Sequence, residues 1–172
     1  MSRSEFELFI KEQQEPLRRF LLNLSGGNHT LSDDVAQEAF IKAYLGLSTF
    51  QGRSKMSTWL FKIAYNCFYD VIRKSKFETE NGLHDIEKLK SSLIDDGYSA
   101  DESFKDQELY IALSHLKEQE KAIILLFYME DKNIKEISAI TGIEQNTIKS
   151  HLSRGRAHLK DYLTTIGYEY KR

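Results

Sequence analysis

The sequence has little of what interrupts regular structure, with one proline and nine glycines among 172 residues. This scarcity disfavours a β-sandwich, which needs frequent tight turns, and favours helices. A single cysteine, Cys67, excludes an internal disulfide and fits a reducing compartment. Because 41% of the residues are apolar, the chain can form a packed core. We expect an all-α protein of one medium or two small domains.

Long apolar runs are also missing. The longest uninterrupted apolar stretch, 122–129, is too short to span a bilayer. The opening residues lack the basic-then-apolar pattern of a leader peptide. We therefore expect a soluble intracellular protein with no membrane insertion, in which 122–129 forms a central core helix.

A strong excess of charge is absent as well, since the net charge is only −2. Residues 1–76 carry eleven Lys and Arg against eight Asp and Glu, 77–104 carry two against eight, and 105–172 carry eleven against ten. The acidic middle segment also loses apolar periodicity, which predicts a flexible linker between two helical domains. Neither end is basic enough to bind DNA strongly alone, so we expect a protein that recognises DNA together with a partner.

The clearest motif lies at 134–162. A short helix containing Ile137 and Ile140 ends at Gly142, and a second helix follows with Ile148 and Leu152 on one face. This pattern is typical of a helix-turn-helix whose second helix enters the major groove, although a helical hairpin with a solvated charged face is the alternative. The polar residues expected to contact DNA are Gln145, Asn146, Thr147, Lys149, Ser150, His151, Arg154 and Arg156.

A second amphipathic helix is predicted after Ser32, which resembles an N-cap with Asp33 and Asp34 in the first turn. Its expected buried stripe is Val35, Ala36, Ala39, Phe40, Ala43, Tyr44 and Leu47. The opposite face carries Asp34, Gln37, Glu38, Ile41 and Leu45. Aliphatic side chains ringed by polar ones suggest a protein-docking surface, although two surface aliphatics without a function are an equal alternative.

A polar loop at 48–58 leads into a further helix that starts at Trp59 and reaches about Lys74. The loop is basic, and Lys62, Asn66, Tyr69 and Arg73 follow along one side of the helix. Cations, an amide and aromatic rings together suit single-stranded nucleic acid. A core aromatic cluster with a solvated basic edge explains the same residues equally well.

Along nearly its whole length, the sequence resembles bacterial RNA polymerase sigma factors of the sigma-70 family, in the extracytoplasmic-function (ECF) group. The resemblance is carried by DVAQEAFIKAY at 34–44, STWLFKIAYN at 57–66, ISAITGI at 137–143 and TIKSHLSRGR at 147–156. It implies sigma region 2 at 1–76, an acidic linker at 77–104, and sigma region 4 with its helix-turn-helix at 105–172. It also implies a factor that directs core RNA polymerase to promoters and promotes DNA opening.

The resemblance further implies roles for individual residues. Asp34, Gln37, Glu38, Ile41 and Leu45 would dock on the clamp helices of the largest polymerase subunit, and the flap of the second-largest subunit would be another partner. Minus-ten recognition would fall to Ser54, Lys55, Met56, Trp59, Lys62, Asn66 and Arg73. The second helix of the helix-turn-helix would read the minus-thirty-five element. The family also implies a bacterial cytoplasmic location and an anti-sigma factor as partner.

Four residues depart from the family pattern, which usually has alanine at Ser138 and Gly155 and arginine at His151, and often has proline at Lys117. Glycine at position 155 should weaken the helix by about 1 kcal/mol relative to alanine. His151 replaces a fixed charge by an imidazole, so the promoter sequence is not inherited from the resemblance.

Two rival functions are disfavoured. A free-standing helix-turn-helix regulator of the response-regulator type explains the C-terminal half, but the N-terminal half lacks the alternating strands and helices of a receiver domain. An enzyme is disfavoured because the five histidines have no metal-binding spacing and no phosphate-cradling glycine loop is found. We therefore expect no catalytic residues, no cofactor and no metal.

Overall fold

The computed structural model describes residues 1–80 and 100–167. These residues form two compact units, one containing α1 to α3 and the other containing most of α4 to α7. The described part of the chain is helical and contains no strand, in agreement with the predicted all-α class. Most of the predicted linker, including its only histidine, His84, lies outside the described residues.

The first unit begins with α1, Arg3–Leu24. A capping box starts it: Ser2 Oγ accepts from the Glu5 backbone N–H at 3.2 Å, and the Glu5 carboxylate accepts from the Ser2 N–H at 2.6 Å. Pro16 lies within the helix and does not begin a second one.

Helix α2, His29–Gly46, starts four residues earlier than the sequence predicts. Asn28 is the N-cap, with its side-chain oxygen accepting from the Leu31 N–H at 2.9 Å. The prediction of Ser32 as N-cap is therefore wrong: Ser32 is buried inside the helix and donates to the His29 carbonyl. Gly26 and Gly27 both have positive φ and complete the preceding turn, so Asn28 is in place to cap first.

Helix α3, Met56–Glu80, follows a 3₁₀ turn at Leu47–Thr49 and the polar loop. The three helices pack around Leu17, Phe20, Leu24, Val35, Ala39, Leu60, Phe61 and Ala64, all buried. The rings of Phe20 and Phe61 lie 5.5 Å apart between α1 and α3. Burial of each large side chain contributes roughly 1.5–3 kcal/mol, so this layer holds the unit together.

The second unit comprises α4 (Ala100–Ser114), α5 (Glu118–Ile124), most of α6 (Ile134–Thr141) and α7 (Gln145–Thr165). A π-helical turn, Leu125–Met129, continues α5. The core consists of Ile123, Leu125, Leu126, Ile137 and Ile148, all almost fully buried. The predicted helix-turn-helix is confirmed as α6, Gly142 and α7.

Two expectations about burial are wrong. Tyr44 was placed in the buried stripe of α2 but is 54% exposed. In the run predicted to be a central core helix, residues 122–126 are buried, but Tyr128 and Met129 are exposed. The π turn changes the rotation per residue there, so the last residues of the run leave the core.

Candidate nucleic-acid and protein interfaces

The turn of the helix-turn-helix is fixed at both ends of α6. Asn133 Oδ1 accepts from the Glu136 N–H at 2.9 Å, and Glu136 Oε2 accepts from the Asn133 N–H at 3.0 Å. At the other end, Gly142 has φ 75° and its N–H donates to the Ser138 carbonyl. The Ser138 hydroxyl donates to the Ile143 carbonyl at 2.6 Å, so α6 also holds the residue that leads into α7.

Helix α7 separates an inner from an outer surface. Ile148, Leu152 and Gly155 are buried. Among the residues predicted to contact DNA, His151 is half-buried, and the exposed ones are Gln145, Asn146, Thr147, Lys149, Ser150, Arg154 and Arg156. The structure therefore brings the whole predicted set onto the outer surface of one helix, with the polar N-terminal residues first and the arginines after them.

Several of these side chains already have partners. Arg154 Nη2 lies 3.4 Å from His151 Nδ1, and the Ser150 hydroxyl donates to the Asn146 carbonyl. Arg156 Nη1 donates to the Tyr128 hydroxyl at 3.1 Å. Tyr128 was not predicted to belong to the site, because its place in an apolar run indicated the core.

The inner surface of α7 lies against α5 at an unusually close approach. A Cβ atom at Gly155 would stand 3.0 Å from Ile124 Cγ1 and 3.2 Å from its Cδ1. Contacts this short force one neighbour to move. Glycine at position 155 therefore has a packing reason, which the propensity argument from sequence did not include.

Beside the close contact between Gly155 and Ile124, Glu120 of α5 is fully buried and accepts from His158 Nδ1 of α7 at 2.9 Å. Burial raises the pKa of the carboxyl, but the hydrogen bonds from His158 and from the Lys117 backbone N–H outweigh it, so the pKa lies below its ordinary value of 4.5. Oε1 of Glu120 has no hydrogen-bond partner among the described residues. This ionised side chain ties the recognition helix to the helix beneath it.

On the first unit, the residues predicted to recognise the minus-ten element follow the loop and the first turns of α3. Ser54, Lys55, Lys62, Asn66 and Arg73 are exposed, while Met56 and Trp59 are half-buried. These residues lie along one loop and one helix face, and several of them, including Trp59 and Arg73, also have structural contacts.

Trp59 packs against Phe50 with ring centroids 5.1 Å apart, and it also lies over Gly46. These contacts hold the polar loop that precedes α3. Arg73 forms an ion pair with Asp70 one turn earlier, which offsets its charge. Tyr69, which the sequence places on the same side of the helix as Lys62 and Asn66, pairs with Tyr65 at 4.6 Å between ring centroids, and this pairing was not predicted.

The docking surface predicted on α2 is one wall of a groove of about 740 Å³ between α1 and α2. Asp34, Gln37, Ile41 and Leu45 line the groove, whereas Glu38 does not and instead pairs with Lys42 at 2.7 Å. Ile41 is 55% exposed and Leu45 is 72% exposed, so both aliphatics lie on the solvent side as predicted.

The other wall of the groove was not predicted. It comes from α1 and includes Arg3, Glu7, Ile10, Gln14 and Arg18. An ion pair of 2.6 Å between Arg18 and Asp33 joins the two walls. The steps of four, three, four and four residues along α1 place this set on one helix face, and this spacing was the available signal.

Within residues 1–80 and 100–167, no three His, Cys, Asp or Glu side chains come together in a way that could hold a metal ion. In the same ranges, no helix is both long and apolar enough to cross a membrane.

A helix-turn-helix with a polar outer surface on its second helix is typical of DNA-binding transcription proteins. Family models add detail: "Sigma-70 region 2" matches residues 9–78 and "Sigma-70, region 4" matches residues 106–159. The ECF RNA polymerase sigma factor SigW of Bacillus subtilis is 32% identical over 148 residues, covering 81% of this chain and 79% of SigW. SigM of the same organism is 32% identical, with coverages of 83% and 85%.

Solved structures agree. The sigma factor RpoE of Bartonella quintana, crystallised with the anti-sigma factor NepR, superposes with a TM-score of 0.79 at 26% identity, covering 93% of this chain and 97% of that one. CnrH, solved with the cytosolic domain of CnrY, shares the fold at a TM-score of 0.73 and 19% identity. The chain belongs to the sigma-70 family, in its ECF group of RNA polymerase sigma factors. It directs core RNA polymerase to promoters, and the alternative function, a free-standing helix-turn-helix regulator, is not favoured.

Proposed function

We propose that the two units divide the work of a sigma factor, with residues 1–76 binding core polymerase and the minus-ten element and residues 105–172 binding the minus-thirty-five element. Residues 77–104 are the acidic connection between them. Neither unit is strongly basic, so promoter binding depends on the polymerase holding both. The protein works in the bacterial cytoplasm, without a cofactor or catalysis of its own.

The observation that carries this proposal is the outer surface of α7. Asn and Gln side chains occupy the first turn, where a recognition helix approaches base edges, and cations follow where the helix passes the phosphates. The buried residues of α7 keep this surface turned outward, because Ile148 and Leu152 lie in the core.

The test is to replace Lys149 and Arg154 by Glu and to measure core binding and promoter binding separately. Holoenzyme carrying both changes should lose minus-thirty-five binding by about 100-fold, since each reversal replaces an attraction to DNA by a repulsion. Its affinity for core polymerase should not change. Lys11→Glu with Lys76→Glu is the control, because it gives the same net charge at exposed positions outside α7. A loss of core binding, or intact promoter binding, would overturn the division of work.

The groove between α1 and α2 is the proposed docking site for the clamp helices of the largest polymerase subunit. Exposed aliphatics among polar and charged residues are typical of a surface that becomes buried in a complex. The flap of the second-largest subunit is the proposed partner of the second unit. Because RpoE, a similar sigma factor, was crystallised with an anti-sigma factor, we also propose a protein inhibitor of this kind here.

The loop and first turns of α3 are the proposed minus-ten site. A base taken out of the duplex loses a few kcal/mol of stacking, which contacts with aromatic and amide side chains replace. Trp59 provides an aromatic ring and Asn66 provides an amide, two helical turns apart on α3. The whole assignment is tested by transcription in vitro: core polymerase with this protein should initiate at discrete promoters, and core alone should not.

A further inference from the structure

We propose that Tyr128 and Arg156 together bind one phosphate group of the promoter DNA, so that the π-helical turn contributes a contact from outside the recognition helix. The inference rests on the proposed role of α7 at the minus-thirty-five element. It adds a residue that neither the motif nor its spacing indicated.

The geometry begins with the π turn. The N–H of Glu130 donates to the Leu125 carbonyl at 3.2 Å, a step of five residues, and the N–H of Lys132 donates to the Leu126 carbonyl at 2.9 Å. The wider turn takes Tyr128 out of the apolar core, and its side chain is 51% exposed. The ring is held edge-on to Phe127 with centroids 5.0 Å apart.

The close approach of α5 and α7 brings the tyrosine within reach of the recognition helix. Gly155 lets the backbone of α7 come against Ile124, the last residue of α5 before the π turn. The next residue of α7, Arg156, then meets Tyr128, with 3.1 Å between Nη1 and the hydroxyl oxygen. The two residues are 28 positions apart in sequence, so the pair exists only because the helices cross here.

The chemistry of the pair suits a phosphate. The tyrosine oxygen accepts from Arg156, and its own O–H proton can be donated to an anionic oxygen. The guanidinium carries five N–H donors, of which this bond uses one, so the others can reach the same group in a fixed plane. Two donors from different elements thus converge on one acceptor, and Tyr128 also limits the rotation of the long arginine side chain.

A phosphate is favoured over a base edge because of the position along α7. Arg156 lies three helical turns after Gln145, beyond the N-terminal residues that reach the floor of the major groove. Side chains at that distance along a recognition helix pass the DNA backbone. The contact should therefore add affinity and fix orientation without changing which bases are preferred.

The experiment uses holoenzyme and promoter duplexes in which single phosphates near the minus-thirty-five element are replaced by neutral methylphosphonates. Tyr128→Phe keeps the ring and removes the hydroxyl, and it should weaken promoter binding about fivefold, as expected for a partly exposed hydrogen bond to a charged group. Tyr162→Phe is the control, because Tyr162 stacks on His115 elsewhere on α7 and should have no effect.

With the wild-type protein, one methylphosphonate position should carry a penalty that Tyr128→Phe abolishes, and Arg156→Gln should abolish it at the same position. A purely structural role of Tyr128 would weaken binding equally at every position and would overturn the proposal. So would penalties that stay unchanged in Tyr128→Phe, or a loss of core binding, which would make Tyr128 a protein contact. If no position carries a penalty in the wild type, the proposed role of α7 fails instead.

Discussion

Helices α2 and α7 are built alike on the inside and differently on the outside. Each buries a stripe of small and aliphatic residues, among them Ala39 and Ala43 in α2 and Ile148 and Leu152 in α7. The outer surface of α2 exposes Ile41 and Leu45 beside acidic and amide groups, whereas that of α7 exposes amides and cations. The buried stripe therefore determines the packing of each helix, and the exposed residues account for the proposed difference in partner, a protein for α2 and DNA for α7.

The difference also appears in how each outer surface is supported. On α2, the aliphatics border an open groove, a shape that a partner helix can fill. On α7, the polar side chains bond to one another and to Tyr128, which holds them ready for a rigid partner. An apolar surface gains affinity from area, and a polar surface gains it from the placement of donors.

The largest expected effect is on the apolar surface. Ile41→Asp with Leu45→Asp should weaken binding to core polymerase by about 100- to 10,000-fold, because two aliphatic contacts of roughly 1.5–3 kcal/mol each would be replaced by buried charge. Fluorescence anisotropy with labelled protein measures this. Leu8→Asp, an exposed leucine of α1 that does not line the groove, should bind normally. Equal losses in both variants would show that the groove is not the docking site.

A smaller effect is expected on α3, where the first unit would contact DNA and protein through different surfaces. Trp59→Ala with Asn66→Ala should leave the closed complex intact and slow strand opening by about 10- to 100-fold, from the loss of stacking and an amide contact. The fluorescence of 2-aminopurine in the minus-ten element reports opening. A template with a mismatched, already open bubble should restore the rate, and unimpaired opening on duplex DNA would show that these residues are not the pocket.

The Glu120–His158 pair predicts a dependence on pH that belongs to the second unit. Because the folded-state pKa of Glu120 is below 4.5, its contribution to stability is fully present above pH 4.5 and is lost as pH falls through the lowered value. Glu120→Gln should destabilise folding at pH 7 by about 1–3 kcal/mol and remove this pH dependence. Urea unfolding between pH 3 and pH 7 measures both, with Glu108→Gln, an exposed carboxylate, as control. Parallel curves for wild type and Glu120→Gln would contradict the pairing.

The smallest effect concerns Gly155. Alanine there gains about 1 kcal/mol of helix propensity, while the contact with Ile124 costs a similar amount, so Gly155→Ala should change stability by less than about 1 kcal/mol. In an Ile124→Ala background, which removes both Cγ1 and Cδ1, the same change should stabilise. A double-mutant cycle of unfolding free energies gives the coupling. Equal effects in the two backgrounds would mean that the approach of the helices is not limited by this contact.

How much could be predicted from sequence follows from the range of the interactions. The helix-turn-helix could be predicted because its signals are local: Gly142 at the turn, and the spacing of Ile137, Ile140 and Ile148. The start of α2 could not, because Asn28 and Ser32 are both good caps and the turn made by the preceding glycines decides between them.

The missed parts of the sites depend on contacts between helices. The wall of the groove that α1 forms exists only because α1 lies beside α2. The proposed role of Tyr128 requires both a π turn and the crossing of α5 and α7. The reason for Gly155 likewise lies 31 positions away, at Ile124. Periodicity indicates which face of a helix is buried, but it does not indicate what lies against that face.

Helix α6 is closed by side-chain caps at one end and by a left-handed glycine at the other, so its eight residues cannot be extended or shortened without losing a cap. The start of α7 is set by α6 and by its own N-cap, in which Glu144 accepts from the backbone N–H and the hydroxyl of Thr147 at 3.3 Å each. Lys149 and Arg154 take no part in these caps, so exchanging them would let a duplicated gene acquire a new regulon while the scaffold stays intact.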